Sequence, residues 1–109
     1  MPAGGGAEPL RGPAAELFNP KRFAIASLLY LRGPLTMGEL QRATGLSWGD
    51  LDYNVRLLSR RGLVGSRRVL TGRGPRVVVF LTRDGVRAYE ELVSYLRRSL
   101  GWLESDPEG

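Results

Sequence analysis

Two helix-start signals, Thr36 with Glu39 three residues on and Ser47 with Asp50 three residues on, stand on either side of Gly45. Each is a hydroxyl at the N-cap followed by an acid at the third helical position, a pairing that satisfies amides otherwise left without partners at a helix start. Gly45 is a helix-ending residue able to take a positive φ. A helix predicted from Met37 to about Thr44 must therefore stop, turn within Gly45-Leu46-Ser47 and restart at Trp48. The rest of the chain has to pack around that tightly joined pair.

The flanking signals supply the other elements. Asn19-Pro20 reads as an N-cap with proline at the first helical position, and Phe23, Ala24, Ser27, Leu28 and Leu31 keep helical spacing until Gly33-Pro34 ends the run. Leu35 leaves room for only a brief extended contact. In the helix that starts at Trp48, Leu51, Val55 and Leu58 fall within an arc of ~60°, while Gly49, Tyr53, Arg56 and Arg60 gather opposite. One side packs and the other meets something. Gly62 terminates it. Leu63 to Leu70 and Arg76 to Leu81 are rich in Val and Leu and are separated by Thr71-Gly72-Arg73-Gly74-Pro75, which predicts a β-hairpin with a basic tip.

Thr82-Arg83-Asp84-Gly85 caps a last helix that extends to about Leu103, roughly 30 Å at ~1.5 Å per residue. Val86, Tyr89, Val93, Leu96, Leu100 and Leu103 recur at alternating spacings of three and four, and Leu92, Tyr95 and Trp102 form a second stripe. Two apolar stripes exceed what one small domain needs, so residues 83–104 are expected to form a homodimer through the first stripe. Twelve of the first 20 residues are Gly, Ala or Pro, a composition that predicts a flexible arm over 1–16. Residues 105–109 read as a polar tail. The expected fold is mostly α with one β-hairpin, its main domain spanning 17–82.

Charge and missing residue types narrow the chemistry. The 109 residues include no Cys and no His, which excludes thiolate chemistry, disulfides, imidazole metal ligation and histidine acid/base catalysis. The 11 acids form no Glu-x-x-Glu constellation, and no Gly-x-x-x-x-Gly-Lys-Ser/Thr loop is present. An enzyme is not expected, and no cofactor or metal is called for. Lys21 is the sole lysine among 16 basic residues, and arginine's planar donor fork suits phosphate and guanine edges. Residues 1–20 carry a net −1, residues 99–109 a net −3 and residues 21–98 a net +9. From Arg56 to Arg76 there are seven arginines and no acid. A charge run is often only a solvated face, but one without compensating acids favours a polyanionic partner. Met1 to Gly12 hold Pro, Gly and Glu where a secretory address needs an apolar stretch, and no run approaches the ~18 residues that span a bilayer, so a cytoplasmic chain without membrane contact is expected.

The order of elements, with Leu40, Ala43, Gly45, Leu46, Leu51, Val55, Leu58 and Gly62-Leu63-Val64, resembles the winged helix-turn-helix regulators over about residues 19–103. It is most similar to small stand-alone archaeal and bacterial regulators related to the MarR and PadR groups, in which a Gly-Leu-Val step leads from recognition helix into wing. The resemblance implies a dimer that places the recognition helix, about 48–61, in a major groove and the wing, about 63–81, against backbone or minor groove. The extra ligand-binding helices of full-length MarR-type proteins and a cysteine sensor are missing, so no inducer of that kind is implied. A small-molecule effector is left open.

The residues themselves point the same way. A free helix start directs amides and a positive dipole end at phosphate, with Ser47 as an added donor. Asn54 can pair two-fold with adenine, Trp48 and Tyr53 can meet thymine methyls or sugars, and Arg56 can take guanine or phosphate. Asp50 and Asp52 cut against phosphate contact, since acids near DNA repel phosphate; Asp50 also reads as a capping residue, and Asp52 as a screen against wrong bases. Arg67 and Arg68 are strand neighbours facing opposite ways, so one of them, taken as Arg68, looks toward DNA. Arg73 and Arg76 are the expected wing contacts, and Arg60 joins them from the helix. The expected function is a sequence-specific regulator binding double-stranded DNA as a homodimer, on an inverted repeat. Two alternatives stay open: a winged-helix module that binds protein, and a nonspecific nucleic-acid or chromatin binder.

Overall fold

The computed structural model describes residues 9–101. Five helices and three strands follow in the order α1 (Gly12–Glu16), α2 (Pro20–Arg32), β1 (Leu35–Thr36), α3 (Met37–Thr44), α4 (Trp48–Arg60), β2 (Val64–Thr71), β3 (Gly74–Leu81) and α5 (Arg83–Ser99). The caps lie where the sequence places them. Asn19 Oδ1 accepts from the amides of Lys21 and Arg22. At Thr36 the capping box is complete, with Oγ1 accepting from Glu39 N–H and Glu39 Oε1 accepting from Thr36 N–H. Gly45 takes φ 73° and ψ 8°, a conformation that costs a residue with a Cβ about 1–2 kcal/mol. The α3–α4 turn is held further by Gln41 Nε2 donating to Leu46 O and by Thr44 Oγ1 accepting from Leu46 N–H.

The sheet has the order β1-β3-β2, all antiparallel. The brief contact expected of Leu35 is a two-residue strand, with Leu35 opposite Val79 and Thr36 opposite Val78. The hairpin is tighter than the sequence suggested. Thr71 pairs with Gly74, so Gly72-Arg73 alone make the turn, with Thr71 Oγ1 donating to Gly74 O and accepting from Arg73 N–H. Pro75 is tolerated because β1 does not extend that far, leaving β3 paired on one side only at this point.

One core joins all the helices to the base of the sheet, with Leu17, Ile25, Leu40, Leu51, Leu58, Leu63 and Leu92 fully enclosed. Two expectations are corrected here. The flexible arm expected over 1–16 is corrected at its end, because Gly12–Glu16 form helix α1 with Pro13 in its first turn and Ala14 and Leu17 are both completely buried; residues 1–8 lie outside the described residues. A single helical turn does not persist by itself in water; this one persists because it packs on α5 and because Arg22 Nε donates to Glu16 O at its end. The last helix, predicted as one run to about Leu103, is interrupted at Leu100, and Gly101 is again helical. Leu100 leaves helical geometry at φ −108° and ψ 14°, and Leu103, Trp102 and the tail lie outside the described residues. Among the described residues no helix is long and apolar enough to cross a membrane.

The two stripes of α5 turn largely inward. Tyr89 is buried: its ring stacks on Phe23 at 5.7 Å, approaches Tyr30 at 4.7 Å, and its hydroxyl shares a hydrogen bond with Ser27. It serves the core and not a partner subunit, which corrects its assignment to the dimer surface. Leu92 is enclosed, and Tyr95 meets Phe18 edge-on beside α1. Val86 is half-buried, Val93 and Leu96 pack partly against the core, and Leu100 stays exposed.

Candidate nucleic-acid interface

Helix α4 is built amphipathic and set with its polar side outward. Ser47 Oγ accepts from Asp50 N–H to start it, and Leu51 and Leu58 drive into the core while Val55 packs partly against it. Trp48, Tyr53, Arg56 and Arg60 remain exposed, with Trp48 and Tyr53 more than half open to solvent. Large aromatic surfaces left in water beside guanidinium groups are suited to bases and sugars, where stacking and cationic contact coincide. Arg56 is ion-paired with Asp52 one turn earlier, Nε to Oδ2 at 2.8 Å. Both groups are exposed, so the pair is weak and easily exchanged for a phosphate.

Asp50 does more than occupy the first turn. Its carboxylate binds Lys21 Nζ at 2.8 Å, and that hydrogen bond with the ammonium charge holds its pKa below the ordinary aspartate value. The pair fastens the start of α4 to the start of α2. Its negative charge is thereby matched and repels phosphate less than the sequence implied.

Asn54, the expected reader of adenine, is not available for that role. It is 4% exposed; Nδ2 donates to Asp50 O and Oδ1 accepts from Arg22 Nη1. Both edges of the amide are occupied within the protein. A signal for this was present in the spacing, because Asn54 sits three residues after Leu51 and four before Leu58 and so borders the packed arc.

On the hairpin, β-strand alternation puts Arg68 on the side shared with Val64 and Val79, which face the core, and Arg67 on the other. Arg67 lies over the Phe80 ring at 5.3 Å. Arg73 at the turn and Arg76 are exposed. They line one open cleft of about 640 Å³ with Thr36, Gly38, Glu39 and Arg42 from the start of α3. Arg42 was not singled out from the sequence. Its Nη1 folds back to 3.4 Å from where a Cβ on Gly38 would stand, bringing its charge to the helix start across from the wing. Among the described residues none of Arg42, Arg73 and Arg76 is in an ion pair. Leu70 and Val77 are also left exposed near the hairpin tip.

A family model for the winged helix DNA-binding domain matches residues 21–100. A transcriptional regulator homologue protein from Pyrococcus horikoshii OT3 is 32% identical, with a TM-score of 0.73 over 84% of this chain and 90% of that one. A MarR family transcriptional regulator from Silicibacter pomeroyi DSS shares the fold at 24% identity and a TM-score of 0.67, over 87% of this chain and 64% of that one. A search of curated proteins found no match. The matched span runs from the start of α2 through the helix pair and hairpin into α5, and on that evidence the chain belongs to the winged helix DNA-binding domain family.

Proposed function

We propose that this chain is a transcription regulator that binds double-stranded DNA sequence-specifically as a homodimer. In this reading the exposed face of α4, with Ser47, Trp48, Tyr53, Arg56 and Arg60, enters a major groove, and Arg68, Arg73 and Arg76 of the wing lie along backbone or minor groove. The observation that carries it is the cleft between α3 and the wing, where three arginines face one space and none is ion-paired among the described residues, the one acid lining it, Glu39, being turned to the Thr36 amide. Such groups are stabilised by a polyanion that brings phosphates at close spacing and releases counterions on binding. Arg42 is added to the contact set on this ground.

The dimer is assigned to the outer side of α5, where Leu100 is exposed and Val93 and Leu96 are only partly covered. A two-fold axis there presents the two α4 helices in opposite directions, so the target is an inverted repeat with half-site centres about 34 Å, or ~10 base pairs, apart. Selection from random duplexes followed by salt titration tests the function: one enriched inverted repeat and a steep linear fall of log affinity with log salt support it. Enrichment of nothing assigns a nonspecific binder, and a shallow slope with preference for an acidic protein assigns an interaction module. Leu96→Glu with Leu100→Glu is expected to sediment as a monomer, and a persisting dimer removes α5 from the interface.

A further inference from the structure

Asn54 is the one buried polar side chain among the described residues, and its partner is a charge. Arg22 of α2 reaches across the seam, donating from Nη1 to Asn54 Oδ1 at 3.1 Å and from Nε to the Glu16 carbonyl at 2.5 Å. Asn54 completes the chain by donating to Asp50 O at 2.8 Å. No carboxylate among the described residues forms an ion pair with Arg22. Its guanidinium is therefore held by directional hydrogen bonds to neutral oxygens, which a charged donor strengthens.

The neighbouring contacts lack that directionality. Leu51, Val55 and Leu58 bind α4 to the core through apolar area, which is insensitive to small rotations or shifts of the helix. The Lys21–Asp50 pair is about half exposed on both sides and adds little rigidity. Only the Arg22–Asn54 contact combines burial with fixed angles on both partners. Glu16, which accepts from Arg22 through its carbonyl, also places its carboxylate 3.5 Å from Arg61 Nε just beyond the other end of α4. Helix α1 thus ties α4 to α5, on which it packs.

We propose that Arg22 is a positioning residue for sequence readout: through Asn54 it sets the rotation of α4 about its own axis, and so decides which of Trp48, Tyr53, Arg56 and Arg60 reach the bases. This rests on the reading of α4 as the DNA-contacting helix. Arg22 itself touches no nucleic acid in this role.

Full-length Arg22→Met, Asn54→Leu and the double variant test it, with amide hydrogen exchange of the free protein and affinities for the selected and a random duplex. Arg22→Met strands the buried Asn54 amide oxygen and Asn54→Leu the half-buried Arg22 guanidinium, so exchange in α4 is expected to rise and the selected-to-random ratio to fall by about tenfold. The double variant, with an apolar pair across the seam, is expected to regain protection of α4 but not the ratio. The salt slope stays at the wild-type value throughout. Recovery of the ratio in the double variant overturns the proposal, since packing would then suffice. A slope lowered by about one unit in Arg22→Met also overturns it, by making Arg22 a phosphate contact. If the wild-type chain binds both duplexes alike, the DNA reading itself fails. The lock is then judged on the free protein, where unchanged α4 exchange in the single variants refutes it.

Discussion

Helix α4 and the tip of the hairpin are the two parts of this molecule proposed to meet DNA, and they are held in opposite ways. Helix α4 is seated in the core by Leu51 and Leu58 and fixed in angle by Arg22 on Asn54, with the half-exposed Lys21–Asp50 pair adding little. The hairpin beyond Val78 rests on its own β2–β3 ladder, and most of its side chains there, including Leu70, Arg73 and Arg76, are exposed. A surface that must distinguish bases needs its groups held to a fraction of an ångström. A surface that follows phosphates gains from charge and tolerates motion. The difference in support therefore matches the difference in task proposed for them.

The largest expected effect is on the clamped side. Leu51→Ala removes a fully enclosed side chain and is expected to cost about 2–5 kcal/mol in chemical denaturation, against less than about 0.5 kcal/mol for Leu70→Ala in the wing. Comparable losses for the two would erase the distinction. The next effect lies at the hairpin base, where a Cβ on Gly85 would stand 2.0 Å from the Leu63 carbonyl oxygen. Gly85→Ala has to push α5 off the sheet, which should lower stability by about 1–3 kcal/mol. At the tip a Cβ on Gly72 meets nothing within 4 Å, so Gly72→Ala should melt within a few degrees of the wild type.

A third expectation separates the two regions by binding. Arg73→Ala and Arg76→Ala should weaken all duplexes alike, each lowering the salt slope by about one unit, with stability unchanged within about 0.5 kcal/mol. Arg42→Ala is expected to behave as they do. Asn54→Ala should instead leave the slope intact, cost about 1–3 kcal/mol of stability and blur preference at several base pairs. Loss of preference at a single base pair would restore Asn54 as a direct reader.

The smallest effect is a pH dependence at the Lys21–Asp50 pair. Because Lys21 lowers the Asp50 pKa in the folded chain, the unfolded chain binds the proton more readily. The contribution to stability is therefore complete at neutral pH, begins to be lost as pH falls through the ordinary carboxylate range, and is gone once pH has fallen through the lowered value. Asp50→Asn should flatten that acid limb slightly and leave the neutral-pH melting temperature nearly unchanged.

Much of the fold was legible because its signals are local. The caps at Asn19, Thr36, Ser47 and Thr82 are side-chain-to-backbone contacts within three residues, and glycine at Gly45 answers a local backbone need. The exposed face of α4 followed from helical spacing alone. What escaped depended on distant partners. Helix α1 has the composition of a linker and is ordered by α5 and Arg22. Tyr89 follows the outward-looking stripe of α5 but is drawn inward by Phe23, Tyr30 and Ser27 from α2. Arg42 carries no signal in its own helix, and only the folding of the wing against α3 brings Arg73 and Arg76 to the same cleft.

Asn54 marks the boundary between the two kinds of information. The sequence by itself determined that a helix would start at Ser47, that Asn54 would lie at the edge of its apolar arc, and that seven arginines with no acid would run from Arg56 to Arg76. It could not determine whether the Asn54 amide faced bases or protein, because an amide serves equally well in both. That was decided by where α2 crosses α4. The crossing places Arg22, 32 residues away in sequence, within hydrogen-bond reach of Asn54 Oδ1, and a buried amide cannot be left without partners.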